Sequence, residues 1–448
     1  MKKHLLKTEF GSLCGLEAEE AFIYLGIPYA RADRFYYAWP VDTWKEELDA
    51  TEFGPACPQF RQFFPQLDNP ERLFYHREFR EGMTFVYDED CLNLNIYAPK
   101  DAKDCPVIVF FYGGGFNSGS NREQPFRGEE FAKRGIVTVF ANYRVGIFGY
   151  MTHEGIEGEL RRDGNFGLDD QRVAVRWVKK HIAAFGGDPE NITLMGQSAG
   201  AISIQYLCLD HGNEGLFRRA IMMSGGGMFP KFALPRRAEK TREFWLQLME
   251  VAGCRTLDEL RALDVQSVLE AQQQMKSLRK DVTYNTMPVV DGYQLPDRVD
   301  RLIRHPLDVD YMIGFTNNDM YAPVMAHIGT KFGRANGAYL YYFDIDAPGD
   351  GNAAFHSSDL RYMFGQLSGS WRPYGERDYE ASGQMMDYVA NFARCGDPNG
   401  EGLPEWRHAD RWHSAALCIR PEGTKMGHPS YLKMTRNMIS KGNPKAGR

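Results

Sequence analysis

Residues 192–201, ITLMGQSAGA, place a short apolar run directly before a serine that is bracketed by glycines and followed by a helix-favouring segment. Ser198 has the form G-x-S-x-G, and Gly196 and Gly200 leave room for a strand and a helix to approach closely. Such a turn strains its central residue and exposes that side chain at the carboxyl edge of a sheet. The motif predicts a serine nucleophile, and the alternative is a small residue that fits a tight turn.

Short β-branched or aromatic runs alternate with amphipathic segments along the chain. The predicted strands are 106–116, 135–145, 191–195, 216–227, 311–320 and 338–346, and the predicted helices are 167–187 and 198–209. Strand, helix and strand in series indicate a mostly parallel sheet covered by helices on both faces, so the predicted fold class is α/β. The helical composition of residues 234–285 predicts a cap over the sheet edge.

The chain of 448 residues contains no repeat and no low-complexity linker, which favours one domain with insertions. We expect this domain at 1–439, a cap-forming helical insertion at roughly 228–330 and a polar tail at 440–448.

The composition of the chain argues against several classes of binding partner. The net charge of −6 argues against a nucleic-acid partner. The apolar run at the amino terminus is too short for a secretory signal, and no segment has the roughly 18 consecutive apolar residues of a membrane span. We therefore expect no membrane partner and a cytoplasmic location. Eight scattered cysteines without zinc-ligand spacing predict reduced thiols, no metal and no cofactor. The oligomeric state is not indicated.

A serine hydroxyl needs a base, and the chain has eleven histidines. His356 follows a loop after a predicted strand, where a sheet-edge loop could carry it to the serine, with an ordinary loop histidine as the alternative. Asp319 follows another predicted strand and completes the chain order serine, acid, histidine. Asp291 competes for the role of the acid, and a turn or capping function is the alternative for both aspartates.

Negative charge on a reacting carbonyl oxygen requires donors that are already in position. The glycines of YGGGF (112–116) follow a predicted strand, and their backbone N–H groups can converge with that of Ala199. A phosphate-binding loop is the competing interpretation, but no Gly-Lys-Ser/Thr element follows and the dinucleotide spacing G-x-G-x-x-G is absent.

Nine segments together resemble the type-B carboxylesterases, which include cholinesterases and bacterial para-nitrobenzyl esterases. They are YLGIPYA (24–30), ACPQ (56–59), DEDCLNLNIY (88–97), YGGGF, NYRVGIFGY (142–150), GNFGLDDQRVAVRWVKKHIAAFGGDPENITLMGQSAGA (164–201), PVVDG (288–292), HSSDLRYMFG (356–365) and NFARCGDPNG (391–400). The resemblance covers roughly residues 7–410 and implies an α/β-hydrolase fold with a reduced cap. It also implies hydrolysis of carboxylic esters through an acyl-serine intermediate, and the pocket features described below favour small to medium uncharged esters.

The resemblance also implies site residues. The nucleophile, acid and base of the family fall on Ser198, Asp319 and His356. Its oxyanion donors fall on a separate set of backbone groups, those of Gly114, Gly115 and Ala199.

The chain departs from the family pattern beside these residues. Gln197 stands where Glu is usual, so we expect a weaker preference for cationic substrates and a less elevated pKa for His356. Tyr112 replaces the usual His, Asp319 stands where Glu is common, and Met320 stands where Gly is usual.

The predicted pocket follows the same resemblance. SGGGMFPKF (224–232) matches a segment near the acyl pocket of relatives, which nominates Met228 and Phe229 as walls and Ser224 as a neighbour of His356, with core packing as the alternative. The other predicted pocket residues are Gln197, Tyr112 and Phe116. The pocket entrance is predicted in the segment 57–91, from its aromatic residues Phe60, Phe63, Phe64, Phe74 and Tyr75, with an ordinary packed loop as the alternative.

Two further expectations concern Cys57 and Cys91 and the length of the cap. The two cysteines match positions that secreted relatives bridge, whereas a reducing compartment favours free thiols. Only 36 residues separate Asp319 from His356, which predicts a thin cap and a wide active-site mouth. Amide hydrolysis or acyl transfer on the same site, or a catalytically silent binding protein, remain alternatives because fold does not fix function.

Overall fold

The computed structural model describes the whole chain except residues 64–66, 158–163, 227–234, 320–321, 411, 414 and 442–448. The strands are β1 Lys2–Thr8, β2 Gly11–Glu17, β3 Ala21–Pro28, β4 Ala30–Arg31, β5 Trp39–Pro40, β6 Leu48–Asp49, β7 Asn93–Pro99, β8 Cys105–Phe111, β9 Val137–Ala141, β10 Gly187–Gln197, β11 Arg219–Met223, β12 Arg236–Arg237, β13 Val289–Val290, β14 Asp310–Thr316, β15 Tyr339–Phe343, β16 Ala416–Arg420 and β17 Gly423–Gly427.

The helices lie mostly between these strands. They are α1 Phe60–Phe63, α2 Pro70–Phe79, α3 Glu129–Ala132, α4 Gly146–Tyr150, α5 Glu154–Glu157, α6 Phe166–His181, α7 Ala199–Leu209, α8 Arg242–Val251, α9 Leu257–Ala262, α10 Val265–Leu278, α11 Val282–Asn285, α12 Val299–Leu302, α13 Ala322–Asn336, α14 Leu360–Met363, α15 Glu376–Cys395 and α16 Tyr431–Lys441.

One large sheet organises the described part of the chain. Its strand order is β1-β2-β3-β7-β9-β8-β10-β11-β14-β15-β16-β17, with β6 paired to β2. The run from β9 to β16 is parallel, and antiparallel strands flank it at both edges. Helices α6, α7 and α15 pack against β10 in the middle of the sheet. The predicted α/β class is confirmed.

The central strands are buried because their sequences are almost continuously apolar. Every residue of β9 and of β11 is buried, as expected for parallel strands that helices cover. The predicted strand 135–145 is shorter in the structure and ends at Ala141, because Arg144 turns away to form a buried ion pair with Asp170.

The helix predicted at 167–187 is α6 followed by a short 3-10 turn, Ile182–Phe185. Its apolar face buries Val175, Trp177 and Val178. Gly186 then ends the segment at φ 78°, a left-handed conformation that glycine adopts without steric cost. Residues 234–285 contain α8 to α11, so their predicted helical character is correct. The single domain with a cap insertion stays a prediction, and residues 442–448 of the predicted tail lie outside the described part.

Candidate active site

Ser198 occupies the turn between β10 and α7, with φ 56° and ψ −122°. This conformation is strained for a residue with a side chain. A β-carbon on Gly196 would lie 2.7 Å from the carbonyl carbon of Gly200, and one on Gly200 would lie 2.0 Å from the carbonyl oxygen of Phe111. The two glycines are therefore sterically required where strand and helix meet, as the motif predicted.

The neighbouring strand β11 holds the other side of this turn. The backbone N–H of Ser198 donates to the carbonyl oxygen of Met223 at 2.8 Å. A β-carbon on Gly225 would lie 2.2 Å from the carbonyl oxygen of Ser198. Gly225 is thus part of the site, although the sequence analysis did not single it out; its signal was the SGGG run directly after a strand.

His356 links the serine to a buried carboxylate. Its Nε2 lies 2.8 Å from Ser198 Oγ, and its Nδ1 makes a short hydrogen bond to Asp319 Oδ1. The Asp319 side chain is fully buried, whereas the His356 side chain keeps 16% of its surface exposed. Because an ionised carboxylate only accepts, the proton belongs on Nδ1, which makes Nε2 the atom that accepts the serine proton.

A local backbone contact brings the histidine to the acid. Asn318 and Phe355 form a parallel bridge, in which the N–H of Asn318 donates to the carbonyl oxygen of Ala354 at 3.0 Å. The residues that follow this bridge on its two strands are Asp319 and His356, so their side chains meet. Asp319 Oδ2 also accepts from the N–H of Thr316 at 3.3 Å, which orients the carboxylate.

Asp291, the competing acid, has a different environment. Its Oδ1 accepts from the backbone N–H groups of Tyr293 at 3.0 Å and Leu295 at 2.9 Å. Burial raises the pKa of this carboxyl, although the hydrogen bonds from those N–H groups act to lower it. It is a turn aspartate, and the structure brings Asp319 to His356 instead.

The glycine loop faces the serine. A β-carbon on Gly113 would lie 2.9 Å from Ser198 Cβ, so the loop lies against the serine side chain. Gly114 and Gly115 have φ values of 114° and 62° and are exposed. Within the described residues, no acceptor is present for the backbone N–H groups of Gly114, Gly115 and Ala199. Unpaired N–H groups on a loop beside Ser198 and at the residue after it are the type of donor that stabilises a developing anion.

Gln197 presents a neutral amide to the same imidazole. Its Nε2 lies 3.3 Å from His356 Nε2, and its side chain also borders Gly113. A carboxylate at this place would add a negative charge next to the ring, whereas the amide adds a donor that competes for the same lone pair.

Two predicted pocket residues are buried. Tyr112 and Tyr143 stack with ring centroids 4.5 Å apart, and each hydroxyl donates to the backbone carbonyl oxygen of the other, at 2.9 and 2.7 Å. Phe116 packs in a cluster with Tyr150 and Ala199. The Tyr112 hydroxyl is therefore already engaged in a backbone hydrogen bond, and its role in the pocket stays a prediction.

The remaining predicted neighbours divide into described and undescribed residues. Ser224 is buried with φ 51°, and its N–H donates to the carbonyl oxygen of Gly314 at 2.7 Å. Met228 and Phe229 lie outside the described residues, as do Phe64 and the side chain of Phe63. Phe60 is buried at the start of α1, and Tyr75 lies half-buried on α2.

Among the described aromatic residues of segment 57–91, Phe74 contacts Phe355, the residue directly before His356. The rings of Phe74 and Phe355 meet edge to face, with their centroids 4.9 Å apart.

Cys57 and Cys91 are buried, free thiols. A hydrogen bond with Cys57, together with burial, raises the pKa of Cys91 well above its usual range. No helix in the described ranges has both the length and the hydropathy needed to cross a membrane. Those ranges also hold no group of three or more His, Cys, Asp or Glu side chains that could bind a metal ion.

The chain matches the family model described as "Carboxylesterase family" over residues 2–329 and 320–437. It is 32% identical to the para-nitrobenzyl esterase of Bacillus subtilis (strain 168), covering 99% of this chain and 100% of that protein. It is 30% identical to Carboxylesterase 5A of Canis lupus familiaris, covering 86% of this chain and 79% of the relative.

Solved structures agree in fold. A PNB esterase structure superposes with a TM-score of 0.81 at 24% identity, covering 97% of this chain and 99% of that one. A thermophilic PNB esterase gives a TM-score of 0.80 at 25% identity over the same shares. With a strained serine, a histidine and an aspartate in hydrogen-bond contact on this fold, and a family match across most of its length, the chain belongs to the carboxylesterase family.

Proposed function

We propose that the protein is a serine carboxylesterase in which Ser198 is the nucleophile, His356 the general base and Asp319 the residue that orients the imidazole. The observation that carries the proposal is the 2.8 Å contact between Ser198 Oγ and His356 Nε2, because it makes proton removal from the hydroxyl possible in the resting enzyme. The family match is independent support.

The reaction follows from these positions. His356 takes the serine proton as Oγ attacks the ester carbonyl carbon, and the N–H groups of Gly114, Gly115 and Ala199 bind the resulting oxyanion. The imidazolium then protonates the departing alcohol, and Asp319 stabilises its charge. Water, activated by the same histidine, releases the acid and restores the serine. Each oxyanion donor typically contributes about 3 kcal/mol to transition-state stabilisation.

The substrate we propose is a small or medium uncharged ester. The neutral Gln197 beside the imidazole removes the charge that would favour a cationic substrate. Phe74, Phe116, Met228 and Phe229 are the proposed apolar pocket residues, and Tyr112 is a further predicted pocket residue whose hydroxyl is already engaged. The relative from Bacillus subtilis is named for an ester with an aromatic part, para-nitrobenzyl, which supports an aromatic substrate here.

We further propose one domain at 1–439 whose cap leaves the site open. The exposure of Gly114 and Gly115 and the partial exposure of His356 support an open mouth. The free thiols of Cys57 and Cys91 support a reducing, cytoplasmic location. Alkylation of the denatured protein without reductant tests this point, since a Cys57–Cys91 bridge in freshly purified protein would contradict it.

The test of the function combines a para-nitrophenyl ester series with a serine-directed phosphonate. We expect hydrolysis, one covalent phosphonate adduct on Ser198, and loss of both in Ser198→Ala. A folded wild-type protein that neither hydrolyses the series nor takes up the phosphonate would indicate a binding protein. Faster turnover of matched amides, or of acyl transfer to added alcohols, would favour those reactions instead.

A further inference from the structure

His356 lies at the end of a loop that begins after β15 and passes residues 346–355. The Asn318–Phe355 bridge holds the end of this loop next to the histidine. The middle of the loop contains Gly349 and Gly351, both with positive φ, and has no strand or helix of its own. Some other contact has to hold the loop if the imidazole is to keep its place beside Ser198.

Arg372 makes that contact. Its side chain is completely buried, and its Nη1 donates to the carbonyl oxygen of Pro348 at 2.7 Å. The guanidinium also forms a bidentate ion pair with Asp350, in which Nη1 donates to Oδ1 at 2.9 Å and Nη2 donates to Oδ2 at 2.8 Å. One side chain thus binds both the backbone and a carboxylate of the loop, in the bidentate geometry that only arginine provides.

The same guanidinium ties the loop to helix α2. Arg372 Nε donates to Glu78 Oε1 at 3.0 Å, and the indole N–H of Trp371 donates to the same oxygen at 3.1 Å. The Glu78 side chain is 2% exposed, so its charge depends on these partners. A buried carboxylate on α2 and a carboxylate on the histidine loop therefore share one arginine.

Aromatic rings complete the contact on the side of the histidine. The Arg372 guanidinium lies 5.4 Å from the ring centroid of Phe355 and 5.8 Å from that of Phe74, which themselves meet edge to face. Phe355 is the residue directly before His356. The cation and the two rings therefore restrict the backbone from which the imidazole projects.

We propose that Arg372 is a positioning residue for His356: by binding Pro348, Asp350 and Glu78 together, it keeps the imidazole within hydrogen-bond reach of Ser198 Oγ. Arg372 does not contact the reacting atoms, and the inference rests on the proposed esterase function. Because a misplacement of about 1 Å in a catalytic group can cost about a hundredfold in rate, loosening this loop lowers kcat. Arg372 lies near the ring of Phe74, one of the proposed pocket residues. Lysine keeps a positive charge beside that ring, so we expect KM to change less than kcat.

The test compares Arg372→Lys with Arg279→Lys. Lysine keeps the positive charge but cannot form the bidentate hydrogen bonds. Arg279 forms a similar bidentate pair with Asp281, at 2.9 and 3.1 Å, and neither residue belongs to the proposed active site, so Arg279→Lys is the control variant. We expect kcat to fall about tenfold or more in Arg372→Lys with KM within about twofold, and both constants to stay unchanged in Arg279→Lys.

A second readout does not depend on turnover. The His356 Nδ1 proton that bonds Asp319 should give a low-field proton NMR resonance in the wild type, which broadens or moves in Arg372→Lys and stays in place in Arg279→Lys. If the wild type lacked esterase activity, this resonance would still report the position of the imidazole. Failure of the proposed function and failure of the positioning role of Arg372 therefore remain distinguishable.

If Arg372→Lys does not fold, Asp350→Asn is the second test variant. This substitution weakens the contact between Arg372 and the loop but keeps the Arg372–Glu78 pair. We expect a smaller fall in kcat and a smaller change in the resonance. Added guanidinium should restore part of kcat in a folded Arg372→Ala. Wild-type kcat and an unchanged resonance in folded Arg372→Lys or in Asp350→Asn would overturn the proposal.

Discussion

Asp359 is a buried carboxyl without a cationic partner among the described residues, and it lies three positions after His356. Its Oδ2 accepts a hydrogen bond from the hydroxyl of Tyr341 at 2.8 Å, while Oδ1 has no partner in the described part of the chain. Loss of hydration on burial raises its pKa to about 6, and the nearby charge of Asp319 adds to the rise. The Tyr341 hydrogen bond and His356 act in the opposite direction.

The shift makes folding stability depend on pH. An unfolded aspartate has its ordinary pKa of 3.8, so between about pH 4 and pH 6 the unfolded chain releases this proton before the folded one does. The favourable contribution is complete below pH 3.8 and is lost as the pH rises through 6. A difference of about two pKa units corresponds to about 3 kcal/mol of stability that the folded protein lacks at pH 7.

Asp359→Asn removes this titration and keeps an acceptor for Tyr341. Between pH 4 and pH 7 we expect the free energy of unfolding of the variant to rise by about 2 kcal/mol relative to that of the wild type, measured by urea titration at successive pH values. Any pH-independent cost of the substitution cancels in this comparison. Curves for the two proteins that run parallel from pH 4 to pH 8 would refute the reasoning.

Asp281→Asn provides a control of opposite sign. A hydrogen bond from Arg279 holds the pKa of Asp281 down at about 2, so its contribution is present above pH 3.8 and is lost as the pH falls towards 2. The difference in free energy of unfolding between the wild type and Asp281→Asn should therefore be constant from pH 5 to pH 8. Over the same range, the difference between the wild type and Asp359→Asn still changes.

Three shorter predictions concern the turn and the imidazole. Ser198→Ala should lower kcat by about 10⁴-fold or more in an ester assay while the melting temperature stays within a few degrees, and a smaller loss would mean that another group attacks the ester. Gly200→Ala should unfold or inactivate the protein, because its methyl group would lie 2.0 Å from the carbonyl oxygen of Phe111; a soluble, fully active variant would contradict the packing of this turn. Gln197→Glu should raise the pKa of His356, shift the acid limb of the kcat/KM profile to higher pH and improve cationic esters over neutral ones, and an unmoved limb would argue against the neutral amide as the cause.

Much of the site could be predicted because its information is local in the chain. The steric need for glycine at 196 and 200 acts within five residues, so the strand-to-helix turn at Ser198 is readable from the motif. The order of strands and helices follows from hydrophobic pattern in the same way. The resemblance to a known family then identified Asp319 and His356 by position, which pattern alone left open.

Long-range contacts decided the rest. The sequence alone determined that a serine stands at a tight turn on an α/β sheet, because steric and hydrophobic constraints between near neighbours are sufficient for that. The residue pattern left Asp319 and Asp291 as alternatives and the family resemblance indicated Asp319, but only the tertiary structure shows how Asp319 reaches His356, through a bridge between residues 37 positions apart. It also decided that Arg372 connects the histidine loop to α2, because a buried charge finds its partners among segments far away in the chain.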